Sequence, residues 1–237
     1  MATTSDFSYL DYFIGGVPPG PLFSINLDDV EGVLRSTTKP PLGRLDPAAE
    51  LCFIGQVAYF EAFFRHHVAS LINICPNLVG QLKTKGREVS VDAAHLLDFA
   101  EHPKSHLGSL LAEKYELGTP KSANALYTDL LMVTPFSKDE AAQYSKVLND
   151  RNLLVHHGGI YTTRYVGQTF VKRRVRQRTF LDSLVIRRQD VRSTASFFTG
   201  VAKKTLKASQ DALKRYVAIN RIRISARQRK AIDSLLW

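Results

Sequence analysis

The sequence predicts a mostly α-helical protein, an antiparallel helical bundle carrying a small β-hairpin appendage and a C-terminal helix. Three observations carry this expectation. The run from Ala48 to Ile74 has no internal proline and a single glycine, Gly55. Downstream of it, apolar residues recur at three- and four-residue spacing in segments whose breaks hold proline or glycine. The composition, 44% hydrophobic over 237 residues, is globular and large enough to bury a sizeable core.

The elements follow in order. Residues 1–45 read as an irregular arm, because GGVPPGPLF (Gly15–Phe23) and STTKPPLG are turn-rich; a short helix from Asn26 to Leu34 fits between them. Asp46 is placed as an N-cap and Pro47 as the first helical residue of a long helix that stops before Pro76. After the polar break KTKGRE, helices are expected near Val91–Glu101, His106–Glu116 and Ala123–Val133. Ser137 and Glu140 form a capping-box pattern, opening a helix that runs to His157, with Gly158 placed as its left-handed terminator. GIYTTRYVGQTFV and RTFLDSLVI are rich in β-branched and aromatic residues and read as two strands, with KRRVRQR between or within them. A last long helix is expected from near Asp190 to about Ile219, then a short basic helix ending at Trp237. The expected domains are an arm (1–45), a helical bundle (46–160) and a basic hairpin plus helical extension (161–237).

Charge is divided unevenly along the chain. Residues 1–150 hold 12 Lys+Arg against 18 Asp+Glu, a net −6, and residues 151–237 hold 20 against 4, a net +16. Such asymmetry points to a polyanion partner for the C-terminal part: nucleic acid first, then an anionic membrane surface, then an acidic protein. Lys172, Arg173, Arg174, Arg176 and Arg178, flanked by Phe170 and Phe180, fit contact with backbone phosphates, and Arg187 and Arg188 continue the same field. The alternative for this run is a solvated, self-repelling loop. No apolar run reaches the ~18 residues of a membrane span, and MATTSDFSYLDYF lacks the pattern of a signal peptide. No membrane association and a cytoplasmic location are therefore expected, and Cys52 and Cys75 are expected as buried thiols rather than a disulfide.

Chemistry concentrates in DRNLLVHHGGIY, Asp150–Tyr161. Tyr144, Val147, Leu148, Leu154 and Val155 make an apolar stripe, and Arg151 falls inside it, where a cation must snorkel, pair or face a wet cleft. Asn152 and His156, four residues apart, share a face beside the stripe. The first long helix carries the opposite anomaly: Glu61 lies in a stripe with Ile54, Val57, Ala58, Phe64, Val68 and Leu71. The two suggest a Glu61–Arg151 pair, which serves equally well as a register-fixing contact without chemistry. For His156 and His157 the plain alternative is a favourable cation at a helix C-terminus.

The segment R151-N-L-L-V-H156 resembles the Arg-polar-x3-His signature of the HEPN superfamily (higher eukaryotes and prokaryotes nucleotide-binding). VHHGGIY and the upstream YFEAFF helix look like the larger stand-alone members of the RiboL-PSP type, over about residues 46 to 170. The resemblance implies a helical bundle that dimerises with its motif helices meeting at a shared cleft, and, in many members, metal-independent ribonuclease activity. By that analogy His156 is base or acid, Arg151 clamps the phosphate, Asn152 orients, Glu61 holds Arg151, and His157 is the alternative histidine. The expectation is a metal- and cofactor-independent endoribonuclease acting on RNA as a toxin or defence effector from a homodimer, with an antitoxin or regulatory protein as a further partner. The competing expectation is a non-catalytic dimer of the same fold that binds RNA or a protein.

Other candidates are weaker. His66 and His67 point about 100° apart on a helix and read as a surface or half-buried feature. His95, His102 and His106 straddle Pro103 and do not suggest a metal site. Asp28 and Asp29 resemble helix-start acids, and no Gly-rich phosphate loop, HExxH or GxSxG occurs.

Overall fold

Prolines and capping residues set the helix starts. The computed structural model describes residues 7–41, 45–92, 94–95, 103–169 and 182–236. Two short 3-10 turns, Tyr9–Tyr12 and Ile14–Gly16, precede α1 (Pro19–Ser36), α2 (Pro47–Ile74) and α3 (Leu78–Thr84). Then come α4 (Pro103–Ala112), α5 (Pro120–Leu131), α6 (Lys138–His157), α7 (Thr163–Thr169), α8 (Arg188–Ile219) and α9 (Ala226–Asp233). The described chain is mostly helical, as its periodicity predicts.

Several helix starts are legible in the residues that make them. Asp46 Oδ1 accepts the Ala49 N–H at 3.2 Å, so α2 opens as expected. At α5 the Thr119 hydroxyl accepts the Ser122 N–H at 3.1 Å, with Pro120 in the first turn. Ser137 and Glu140 cap α6 reciprocally, and Ser225 and Gln228 do the same for α9.

Packing gathers the chain into two units. The first comprises Met1–Phe23, Glu61–Pro135 and Val201–Trp237, and the second Ser24–Phe60 and Phe136–Gly200. The first unit is centred on the C-terminal half of α2, where Phe63, Phe64, Val68, Leu71 and Ile72 are all buried. Asn73 ties it together: its amide donates to the Tyr12 carbonyl at 3.2 Å and accepts the Gly108 N–H at 2.7 Å. Gly108 is required there, since a Cβ would stand 2.1 Å from the Ala69 carbonyl oxygen. In the second unit Phe60 stacks on Phe198 at 4.0 Å, Tyr144 meets Phe60 edge-on, and Phe136 lies parallel to Tyr144 at 5.2 Å. Aromatic pairs in these geometries add about 0.5–1.5 kcal/mol each beyond their burial.

The N-terminal segment is not an irregular arm. Its helix runs from Pro19 rather than Asn26, because Phe23, Val30 and Leu34 extend one buried stripe through it. Asp28 and Asp29 are consequently mid-helix and exposed, not helix-start acids. The β-hairpin is also corrected. Thr163–Thr169 is helical, and among the described residues the β pairing is one isolated antiparallel bridge, Ile160 with Ser183. His67 is fully buried rather than half-exposed: Nδ1 shares a 2.8 Å hydrogen bond with the Tyr127 hydroxyl, Phe63 stacks on its ring, and desolvation pushes its pKa down to about 3. The helix expected at Val91–Glu101 falls mostly outside the described residues.

Candidate functional site

The corner between α6 and α7 is built by two glycines and a tyrosine. Gly158 (φ +56°) and Gly159 (φ +81°) both adopt the left-handed conformation, and both N–H groups turn back to the Leu153 carbonyl. The chain reverses, and Thr162 Oγ1 accepts the Tyr165 N–H at 3.1 Å to start α7. Tyr165 then reaches back to α6, where its hydroxyl donates to Asp150 Oδ1 at 2.6 Å, while Tyr161 stacks on its ring at 5.2 Å.

That docking leaves an open cleft of about 230 Å³ between the end of α6 and α7, lined among others by Asn152, His156, His157, Arg164, Tyr165 and Gln168. The Arg164 guanidinium gives this lining a fixed positive charge, and two imidazoles and three side-chain amides, Asn149, Asn152 and Gln168, add polar hydrogen-bonding groups.

Asp150 sets the charge behind the cleft wall. Burial raises its pKa above the ordinary carboxylate range, against the hydrogen bond from Tyr165 and the charge of Lys146. Tyr165 is correspondingly raised far above the usual phenol, first by burial and then by its bond to Asp150. Its hydroxyl is therefore held protonated as a donor rather than offered as a base.

The structure places some of the expected residues in the cleft and others outside its lining. Asn152 and His156 share the cleft as predicted, and His157 joins them. Arg151 does not line it. Five residues of α-helix place it about 140° around the axis from His156, and it is half-buried on the face of Tyr144 and Val147. The buried face of α6 is Tyr144, Val147, Asp150 and Leu153, while Val155, expected in the stripe, is 49% exposed. Glu61 belongs to the first unit, half-buried, with its carboxylate beside Gly118.

The sequence reading missed Asp150, Arg164, Tyr165 and Gln168. The readable signal was Thr162 three residues before Tyr165, the spacing at which a capping hydroxyl accepts a first-turn N–H.

Lys172, Arg173, Arg174, Arg176 and Arg178 lie outside the described residues. Arg187 is exposed at the start of α8. Arg188 is committed elsewhere, which corrects its assignment to a phosphate-facing field. Its Nε donates to Asp46 Oδ2 at 2.8 Å, and its other nitrogens donate to the Leu34, Thr37 and Thr38 carbonyls and the Thr37 hydroxyl. Asp46 is held below its ordinary pKa: burial works against the charge, and the bonds from Arg188, Ala49 and Ala48 outweigh it.

Among the described residues no three His, Cys, Asp or Glu side chains cluster as metal ligands, and no helix is long and apolar enough to cross a membrane. No family model matches the chain, and neither curated proteins nor solved structures give a significant match.

Proposed function

We propose that the cleft at the α6–α7 corner is the active site of an endoribonuclease. The observation that carries this reading is that His156, His157 and Arg164 line one open cleft with three side-chain amides, Asn149, Asn152 and Gln168. Cleavage of an RNA phosphodiester by its own 2′-hydroxyl needs a base, an acid and a donor for the charge on the phosphorane. One imidazole takes the 2′-OH proton as O2′ attacks phosphorus. The P–O5′ bond breaks, and the other imidazole, as imidazolium, protonates the leaving 5′-oxygen. The products are a 2′,3′-cyclic phosphate and a 5′-hydroxyl. Arg164 holds the equatorial phosphate oxygens, and Asn152 and Gln168 orient the ribose and phosphate. No step in this sequence calls on a metal.

In the HEPN-like homodimer that the motif resembles, a second copy would carry Arg151 to this cleft. The same resemblance extends the reading to a toxin or defence effector restrained by an antitoxin or regulatory protein. The turn of Arg151 away from His156 within one chain favours a second reading, a non-catalytic RNA- or protein-binding module of the same fold.

The test is cleavage of a single-stranded RNA in EDTA. The expected result is EDTA-resistant cleavage leaving a 2′,3′-cyclic phosphate, with His156→Ala lowering the rate ~10²–10⁴-fold, the usual contribution of a proton-transfer group, at an unchanged melting temperature. Mixing Arg151→Ala with His156→Ala restores activity only if the site is shared between two copies. Full cleavage by the folded His156→Ala protein would end the enzymatic reading of this cleft.

A further inference from the structure

The cleft accounts for little of the C-terminal positive charge. Between Asp211 and Asp233 the sequence carries seven cations and no acid. Lys214 is bridged to Asp233 at 2.8 Å. The other six, Arg215, Arg221, Arg223, Arg227, Arg229 and Lys230, are exposed at and around the corner joining α8 to α9. Among the described residues no carboxylate lies within ion-pair distance of the five arginines. We propose that this corner is a docking surface for the phosphate backbone of a nucleic acid.

The corner is fixed before any ligand arrives. The Gln228 amide donates to the Ile74 carbonyl at 2.7 Å and accepts the Ser225 N–H at 2.8 Å, locking the first turn of α9. Gln210 donates to the Ile232 carbonyl at 2.9 Å, and Ala231, Ile232 and Leu235 are buried. Lys230 is held over the Tyr9 ring at 4.1 Å. With the inner face of α9 pinned, Arg223, Arg227 and Arg229 are presented from a rigid frame, so less ordering opposes binding. Arg221 holds φ +50°, a left-handed conformation that ordinarily selects glycine or asparagine. Ile222 N–H closes that turn on the Val217 carbonyl at 3.0 Å. A guanidinium thus stands where the backbone alone would favour a smaller residue.

The chemistry of the patch identifies the partner. Five of the six cations are arginines, whose planar forks match phosphate oxygens bidentately. A membrane surface would call for an apolar face turned outward beside the charge. Here Ala231 and Ile232 of α9 are buried, and the large exposed apolar side chains among the described residues of this region are Ile219, before α9, and Leu236, after it. A continuous phosphate backbone needs only the cations.

This proposal does not rest on cleavage at the α6–α7 cleft, and its test avoids that chemistry. The full chain and its Arg223→Gln/Arg227→Gln/Arg229→Gln variant are titrated against a 2′-O-methyl oligonucleotide, which has no 2′-OH to attack, and against a DNA duplex, over a range of salt. A control variant, Lys83→Gln/Lys85→Gln/Lys121→Gln, loses the same charge from exposed positions elsewhere. The corner variant is expected to melt like the parent, to bind on the order of 10–100-fold more weakly at 0.1 M salt, and to show a log–log salt slope shallower by about two. The control should stay within about twofold of the parent. An unchanged slope, or an equal loss in both variants, would overturn the proposal. So would loss of binding to phosphatidylserine vesicles with nucleic-acid affinity intact, which would assign the corner to a membrane.

Discussion

Asp150 is the residue at which local chemistry and the cleft meet. Its folded pKa is raised, so protonation is easier in the native state than in the unfolded chain. Its contribution to stability is therefore complete below the unfolded carboxylate value and lost as pH rises through the folded one. At neutral pH the charged carboxylate opposes folding, and the Tyr165 hydroxyl offsets part of that cost. Asp150→Asn, which keeps an acceptor for Tyr165, should raise the urea midpoint at pH 7 and give no gain below about pH 4. Tyr165→Phe acts in the opposite sense: it strands a buried carboxylate and should cost about 1–3 kcal/mol at pH 7, less in acid. A penalty for Tyr165→Phe that is the same at both pH values would show that the pair does not govern this corner. The motif's helix, its cap and its glycine stop were legible from Ser137, Glu140 and Gly158, because capping depends on neighbours in sequence. Asp150 does not stand out in the sequence, because Arg151 is the conspicuous charge in the stripe that spacing defines. Which of two adjacent charged residues enters the core is decided by Tyr165, fifteen residues on.

At the scale of elements, the same contrast separates what could be read from what could not. The lengths of α2, α6 and α8 follow from caps, prolines and apolar spacing carried within each segment. Thr163–Thr169 is strand-like in composition, yet it is helical because Tyr165 and Val166 bury against their surroundings and the Tyr165 hydroxyl is claimed by α6. Tertiary context outweighs a β propensity worth only ~1 kcal/mol across its full scale. Arg188 shows the other limit of local reading. Beside Arg187 it looks like one more cation, but it joins three element ends: the C-terminus of α1, the N-cap Asp46 of α2, and its own α8. The pair with Asp46 has side chains only 14% and 11% exposed. Breaking such a pair from one side typically costs about 3–5 kcal/mol. Arg188→Met should therefore lower the unfolding free energy by that order, whereas Arg187→Met, at an exposed position, should stay within about 0.5 kcal/mol. The stabilisation by Asp46 should fade in acid, since its folded pKa is depressed and the benefit is lost as pH falls through that value. Equal, small effects of Arg187→Met and Arg188→Met in chemical denaturation would remove the clamp from this account.

At the scale of the molecule, the chain passes between its two packing units inside α1, α2 and α8, and again between Pro135 and Phe136. Reading along the sequence divides a protein at turn clusters, but these crossings lie inside helices, where no turn residue marks them. The 46–160 segment that carries the motif would be expected to fold alone if it were a self-sufficient bundle. The second unit takes from α8 the Phe198 ring that stacks on Phe60, the buried Val191 and the Arg188 clamp. The first unit takes from α8 Val201, Leu206 and Leu213, all 1% exposed or less. Full burial of each large apolar side chain is worth about 1.5–3 kcal/mol. Losing five of them, before counting the clamp, removes roughly 8–15 kcal/mol, as much as the whole stability of an ordinary domain. A fragment of residues 1–160 should accordingly show reduced helicity by circular dichroism and no cooperative urea transition. Adding residues 182–237 as a separate chain should restore both if α8 supplies the missing core. A fragment 1–160 that unfolds cooperatively, with a midpoint near that of the full chain, would show that α8 is an accessory to the fold rather than part of its two cores.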